Sequence, residues 1–193
     1  MNLPNKLTVV RICLVPVFVF FMLADFVSYR YIFALVVFAV ASYTDHLDGK
    51  IARSRNLVTN FGKLMDPLAD KILVMSALIC FVKLNLASAV CVIIIMFREF
   101  AVTSIRLISV EQGKVIPANN WGKAKTVSQM VAVIAVLTFQ SVIQPGFFQA
   151  AAINGNAVLL NVAGEVLIYI ATLLTFVSGV IYARDSSHIF KDF

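Results

Sequence analysis

An all-α, polytopic membrane protein with six transmembrane helices in one bundle is the fold this sequence predicts, on three observations. Of its 193 residues, 61% are hydrophobic and only 13% are charged, where a soluble domain averages about 25% charged. The mean hydropathy is +0.92. Several apolar runs reach the roughly 20 residues that a helix needs to cross a bilayer.

The spans are expected in order at Leu7–Leu23, Tyr31–Ile51, Gly62–Val82, Ser88–Ser109, Trp121–Ile143 and Val158–Tyr182. The first follows Lys6 like a signal peptide. No small-residue cleavage site comes after it and further spans do, so it is expected to be a retained helix. The second ends, and the third begins, in a charged segment. The fourth carries Arg98 and Glu99 inside its apolar run, where charges are costly unless paired or facing a cavity. The fifth opens on Trp121, which suits the headgroup level, and the sixth is largely apolar, with Glu165 its one charge before Arg184. Connections are short, with no Pro- or Ser-rich linker and no internal repeat, so residues 1–193 are expected to form a single domain.

Basic residues set the orientation. Lys6, Arg11, Lys50, Arg53, Arg55, Lys63, Lys114, Lys123, Lys125, Arg184 and Lys191 fall at one set of span ends, and only Arg30 and Lys83 at the other. The positive-inside rule then places both termini in the cytoplasm. The net charge of +6 sits at helix ends, which favours anionic lipid and a phosphorylated substrate over nucleic acid. Cys13, Cys80 and Cys91 are scattered through apolar runs at spacings that suit neither zinc nor a disulfide framework, so buried free thiols are expected.

The charged segment is "DHLDGKIARSRNLVTNFGKLMDPLAD". Asp45 and Asp48 are three residues apart and Asp66 and Asp70 four apart, so each pair shares one face of its own helix. Together the faces gather a formal charge of −4, which repels itself by several kcal/mol in a low-dielectric place. Hard divalent cations such as Mg²⁺, Mn²⁺ or Ca²⁺ are the natural compensation. Four carboxylates suffice for two ions, an arrangement suited to phosphoryl transfer. Gly49 and Ala52 leave room beside them, Arg53 offers a fork for a diphosphate, Thr59 a hydroxyl, and Gly62 close backbone approach. On spacing alone, the same carboxylates also suit the cation or proton relay of a transporter, or a solvated helix-end cluster. Gly49 and Ala52 alone would suit helix packing.

The pattern Asp45-x2-Asp48-Gly49-x2-Ala52-Arg53-x8-Gly62-x3-Asp66-x3-Asp70 resembles the complete signature of the CDP-alcohol phosphotransferase family, with eight fixed positions over 26 residues. The resemblance implies a six-helix membrane enzyme, a homodimer, that uses Mg²⁺ or Mn²⁺ and moves a phospho group from a CDP-linked donor to an alcohol, releasing CMP. It implies that Asp45, Asp48, Asp66 and Asp70 are metal ligands and that Asp70 is also the general base. Gly49, Ala52, Arg53, Thr59 and Gly62 would line the donor site; His46 falls at a variable position. The stretches "NLPNKLTVVRICLVPVF", "REFAVTSIR" and "WGKAKT" are similar to the members that join CDP-diacylglycerol to sn-glycerol 3-phosphate.

Such an acceptor brings its own phosphate and calls for a second basic site. Arg106, Lys114, Lys123 and Lys125 are the candidates, with positive-inside anchoring as the plain alternative for the two lysines of "WGKAKT". Glu99 and Arg106 are seven apart on one helix face, so they would flank one polar cavity. Other acceptors, namely inositol phosphate, serine or phosphatidylglycerol, remain open within the family. The location expected is the plasma membrane, multi-pass, with the active site facing the cytoplasm and diacylglycerol tails in the surrounding lipid.

Overall fold

A computed structural model of the chain describes the backbone of residues 3–54, 60–111, 120–144 and 156–186, and the side chains of 7–44, 69, 71–109, 121–144 and 156–186. Among these residues there are six helices and no strand. They are α1 (Leu3–Leu23), α2 (Arg30–Ser54), α3 (Asn60–Lys83), α4 (Ala89–Glu111), α5 (Asn120–Ile143) and α6 (Ala157–Asp185). At 1.5 Å per residue they are roughly 31–44 Å long, as long as a hydrocarbon core is thick or longer.

Each helix outruns its expected span by at most four residues at either end, apart from one residue at the start of α4. Hydropathy stops counting where polar residues begin, whereas helical hydrogen bonding continues past that point. By length and composition, Trp121–Ile143 and Ala157–Asp185 qualify as membrane-crossing among the described residues, with shorter apolar stretches at Leu7–Leu23 and Arg30–Thr44. α4 carries three charges, Arg98, Glu99 and Arg106, within its apolar run.

The turns between helices have local causes. Asn85 takes φ 58°, a left-handed conformation that asparagine tolerates. The Leu86 amide then donates to Phe81 O at 2.8 Å and the Asn85 amide to Val82 O at 3.1 Å, the paired bonds that close a helix at a left-handed residue. Between α1 and α2, Tyr29 takes φ 60°. Arg30 pairs with Asp25 and lies 4.8 Å from the centre of the Tyr31 ring, which fixes the start of α2.

α1 packs on α2 and α3, α4 on α6 and α3, and α5 on α6 and α2. Phe18, Phe38, Phe81, Ile95, Val133 and Leu137 fill the centre, with Ala34, Ala41, Ala77, Ala132 and Ala171 letting backbones approach closely. The distribution is inverted relative to a soluble protein. Phe97, Val158, Leu159, Leu107 and Leu173 are exposed, while Arg11, Arg98, Glu99, Lys125 and Gln129 are buried. Interior polar groups find partners: Gln129 donates to Thr175 Oγ1 at 2.9 Å and Gln140 to Asn161 Oδ1 at 2.7 Å across α5 and α6. All three thiols are free. Cys80 and Cys91 are buried as expected, but Cys13 lies on the exposed face of α1.

Candidate active site

The aspartate segment is helical on both sides. Asp45, Asp48, Gly49, Ala52 and Arg53 fall within α2, and Gly62, Asp66 and Asp70 within α3. The side chains of these residues, and Thr59 and Lys114 altogether, lie outside the described residues. The register is informative. The buried residues of α2 are Tyr31, Ala34, Phe38 and Ala41, spaced alternately by three and four. Continuing that alternation lands on Asp45, Asp48 and Ala52. The helix is apolar over Arg30–Thr44, directly before Asp45.

Beside this segment lies a cavity of about 570 Å³ among α3, α4, α5 and α6. Among the described residues, five cations line it, Lys71, Arg98, Arg106, Lys123 and Lys125, against one carboxylate, Glu99. Arg106, Lys123 and Lys125, the described members of the basic set expected from sequence, are therefore brought to one cavity. Glu99 and Arg106 share its wall, as their seven-residue spacing requires.

Glu99 is the hub, with only 5% of the residue exposed. Lys125 Nζ on α5 donates to Glu99 Oε1, and Arg98 Nη1 to the same oxygen at 3.3 Å. Lys71 Nζ on α3 donates to Glu99 O at 3.3 Å and to Thr103 Oγ1. Arg98 Nη2 crosses to Ser178 Oγ on α6 at 2.7 Å. Arg98 and Glu99 of α4 thus reach α3, α5 and α6, the carboxylate itself holding Lys125 and Arg98. Lys125, 7% exposed, is a buried ion-pair member and not a headgroup anchor. Lys123 is exposed at the rim.

Two buried donors are left over. Arg98 Nε and the Tyr182 hydroxyl have no hydrogen-bond partner among the described residues, and both residues line the cavity. An unsatisfied buried polar group costs about 1–3 kcal/mol, more when charged, so a ligand with several acceptor oxygens suits this wall.

The lining reaches residues close in sequence to the aspartates. Lys71 follows Asp70 directly, and consecutive Cα atoms are about 3.8 Å apart. A second cavity of about 160 Å³ shares Lys71, Glu99, Lys125 and Thr126 with the first and reaches Ser42, three residues before Asp45 on α2. Sequence reasoning left Lys71, Arg98, Thr103, Ser178 and Tyr182 out of the site. Only Arg98 carried a signal, as a cation inside an apolar run; the others become visible when four helices meet.

The sequence that builds this site has relatives among known proteins. The family model for CDP-alcohol phosphatidyltransferase matches residues 1–177. The chain belongs to this family. It is 48% identical over 147 residues to a CDP-diacylglycerol–glycerol-3-phosphate 3-phosphatidyltransferase of Bacillus subtilis (strain 168), covering 70% of this chain and 76% of the relative. A protein of the same name from Rickettsia bellii (strain RML369-C) is 34% identical over 98% of this chain and 97% of its own length. A probable phosphatidylglycerophosphate synthase of Mycobacterium tuberculosis (strain H37Rv) is 38% identical over 94% of this chain and 79% of its own.

Proposed function

We propose that this chain is a membrane-embedded transferase that moves the phosphatidyl group of CDP-diacylglycerol to sn-glycerol 3-phosphate, giving phosphatidylglycerophosphate and CMP in phospholipid biosynthesis. The names of its relatives give the reaction. The observation that carries the site is the cavity with five cations, one carboxylate and two unpartnered buried donors next to Asp70. An acceptor that is itself a phosphate dianion matches that wall; a neutral acceptor such as serine does not.

The aspartates fit divalent cations on donor chemistry. Carboxylate oxygens suit Mg²⁺ or Mn²⁺, and two pairs each one helical turn apart, entering from adjoining helices, give a set for one or two ions. Asp45, Asp48, Asp66 and Asp70 are the proposed ligands. A bound ion would draw charge from the donor diphosphate and make CMP a better leaving group.

The chain's own residues supply the rest. Gly49, Ala52, Thr59 and Gly62 frame the nucleotide, and Arg53 forks onto the diphosphate. Arg98, Arg106 and Lys125 hold the acceptor phosphate, Lys123 and Lys114 draw it in from the rim, and the Tyr182 hydroxyl donates to one of its oxygens. The primary hydroxyl oxygen of the acceptor attacks the β-phosphorus while Asp70 takes its proton. The bond from that phosphorus to the CMP oxygen breaks, and its electron pair leaves with CMP. A carboxylate is a weak base toward an alcohol, so alignment of the reacting atoms contributes most of the acceleration.

The exposed apolar residues support a membrane setting for the six helices; a cytoplasmic active site in the plasma membrane follows the distribution of basic residues, and a homodimer follows the family resemblance. The test is the purified protein in detergent with CDP-diacylglycerol, Mg²⁺ and, in turn, glycerol 3-phosphate, inositol phosphate, serine and phosphatidylglycerol, with CMP as the readout. CMP release with glycerol 3-phosphate above all others is expected. Ion flux across sealed vesicles without CMP release would establish a transporter instead.

A further inference from the structure

Arg11 on α1 is only 1% exposed and has no part in the transfer described above. We infer that Arg11 is a positioning residue of the carboxylate site, its guanidinium the fixed counter-charge that α1 supplies to the aspartate row of α2. This rests on the reading that these aspartates hold a divalent cation.

Register carries the inference. The buried residues of α1 include Thr8, Arg11, Val15, Phe18 and Met22, spaced alternately by three and four, so they form one seam. The pattern continues across Pro16, so the missing hydrogen bond there does not turn the face away. The buried residues of α2 have the same alternation through Ala41, and the same count along the helix falls on positions 45 and 48. The two helices are consecutive, run antiparallel and pack together. Phe18 and Phe38 meet between them with ring centroids 5.8 Å apart. From that contact Arg11 lies seven residues back along α1, and Asp45 seven residues on along α2. Seven residues are two turns, about 10.5 Å, which keeps both positions on their seams at one level. Thr8 reaches the level of Asp48 by the same count.

A guanidinium withdrawn from water is costly unless compensated, and so are clustered carboxylates. Facing registers of opposite sign offset both costs. Without a divalent cation Arg11 limits the repulsion within the row; with one bound, its planar fork holds a carboxylate in a fixed orientation.

Thermal unfolding of the detergent-purified full chain tests this, with Arg11→Met and Asp45→Asn, singly and together, each in EDTA and in Mn²⁺. Arg11→Met should lower Tm by roughly 5–15 °C in EDTA, and Mn²⁺ should restore most of that loss. Asp45→Asn should destabilise the wild-type background and be neutral or stabilising beside Arg11→Met. An equal loss in EDTA and Mn²⁺, additive with Asp45→Asn, would make Arg11 a packing residue and overturn the inference. If Arg11→Met cannot be recovered folded, Arg11→Gln carries the same comparison. A wild-type Tm that ignores Mn²⁺ would remove the metal reading; the coupling to Asp45→Asn in EDTA would still decide for or against the pairing.

Discussion

Gly179 on α6 is the surface against which Arg98 on α4 lies: a methyl group at position 179 would stand 2.8 Å from Arg98 Cγ. That is inside van der Waals contact and close to the base of the arginine side chain, so Gly179→Ala must displace it. The guanidinium would lose its 2.7 Å bond to Ser178. A charge-assisted hydrogen bond contributes about 1.5–3 kcal/mol. The expected result is a rise of roughly 10-fold or more in the KM for glycerol 3-phosphate, with the KM for CDP-diacylglycerol little changed. Steady-state kinetics with each substrate varied in turn check it.

Among the described residues, Glu99 is the carboxylate that pairs with both Arg98 and Lys125. Glu99→Gln keeps an acceptor oxygen but leaves the buried cations short of one negative charge. Breaking a buried pair costs about 3–5 kcal/mol, so a clear fall in Tm is expected. Inorganic phosphate should raise the Tm of this variant more than that of the wild type, because the anion supplies the missing charge. Thermal melts across a phosphate titration measure the difference.

Chelation should abolish turnover, and Mg²⁺ or Mn²⁺ should restore it. Asp45→Asn or Asp66→Asn should raise the ion concentration needed for half-maximal rate, since one charged ligand is gone. Asp70→Asn should stop turnover while retaining donor binding. Full activity after exhaustive dialysis against EDTA would exclude the metal reading.

Donor and acceptor sites should separate by mutation. Arg106→Ala should raise the KM for glycerol 3-phosphate by one to two orders of magnitude at nearly constant KM for CDP-diacylglycerol. Arg53→Ala should do the reverse. Lys123→Ala, at the exposed rim, should have the smaller effect, because solvent screens its charge. Should Arg106→Ala and Lys125→Ala both leave the glycerol 3-phosphate KM at its wild-type value, the acceptor lies elsewhere.

Helix number and position were legible because apolar length is a local property, and each span can be counted from its own residues. The helices that carry the aspartate pairs were legible for the same reason, and the side chains themselves lie outside the described residues. The cavity wall was not. Lys71 looks like an ordinary charge after Asp70 until α3 meets α4, where its amine reaches Glu99 O and Thr103. Tyr182 and Ser178 look like the end of an apolar helix until Arg98 arrives from 80 residues away. Arg11 counted in the sequence toward orientation, yet it is buried once α1 packs on α2 and α3.

The cavity beside Asp70, at about 570 Å³, leaves ample room for water beside a small acceptor. Water is also a nucleophile, and nothing about a polar, cation-lined wall repels it. Fidelity therefore rests on rank: the tethered hydroxyl must outcompete a far more abundant rival by being better aimed. When the acceptor runs short, some donor should be lost as phosphatidic acid and CMP. The size of that leak measures how tightly the Arg98–Glu99–Lys125 scaffold aims the reaction.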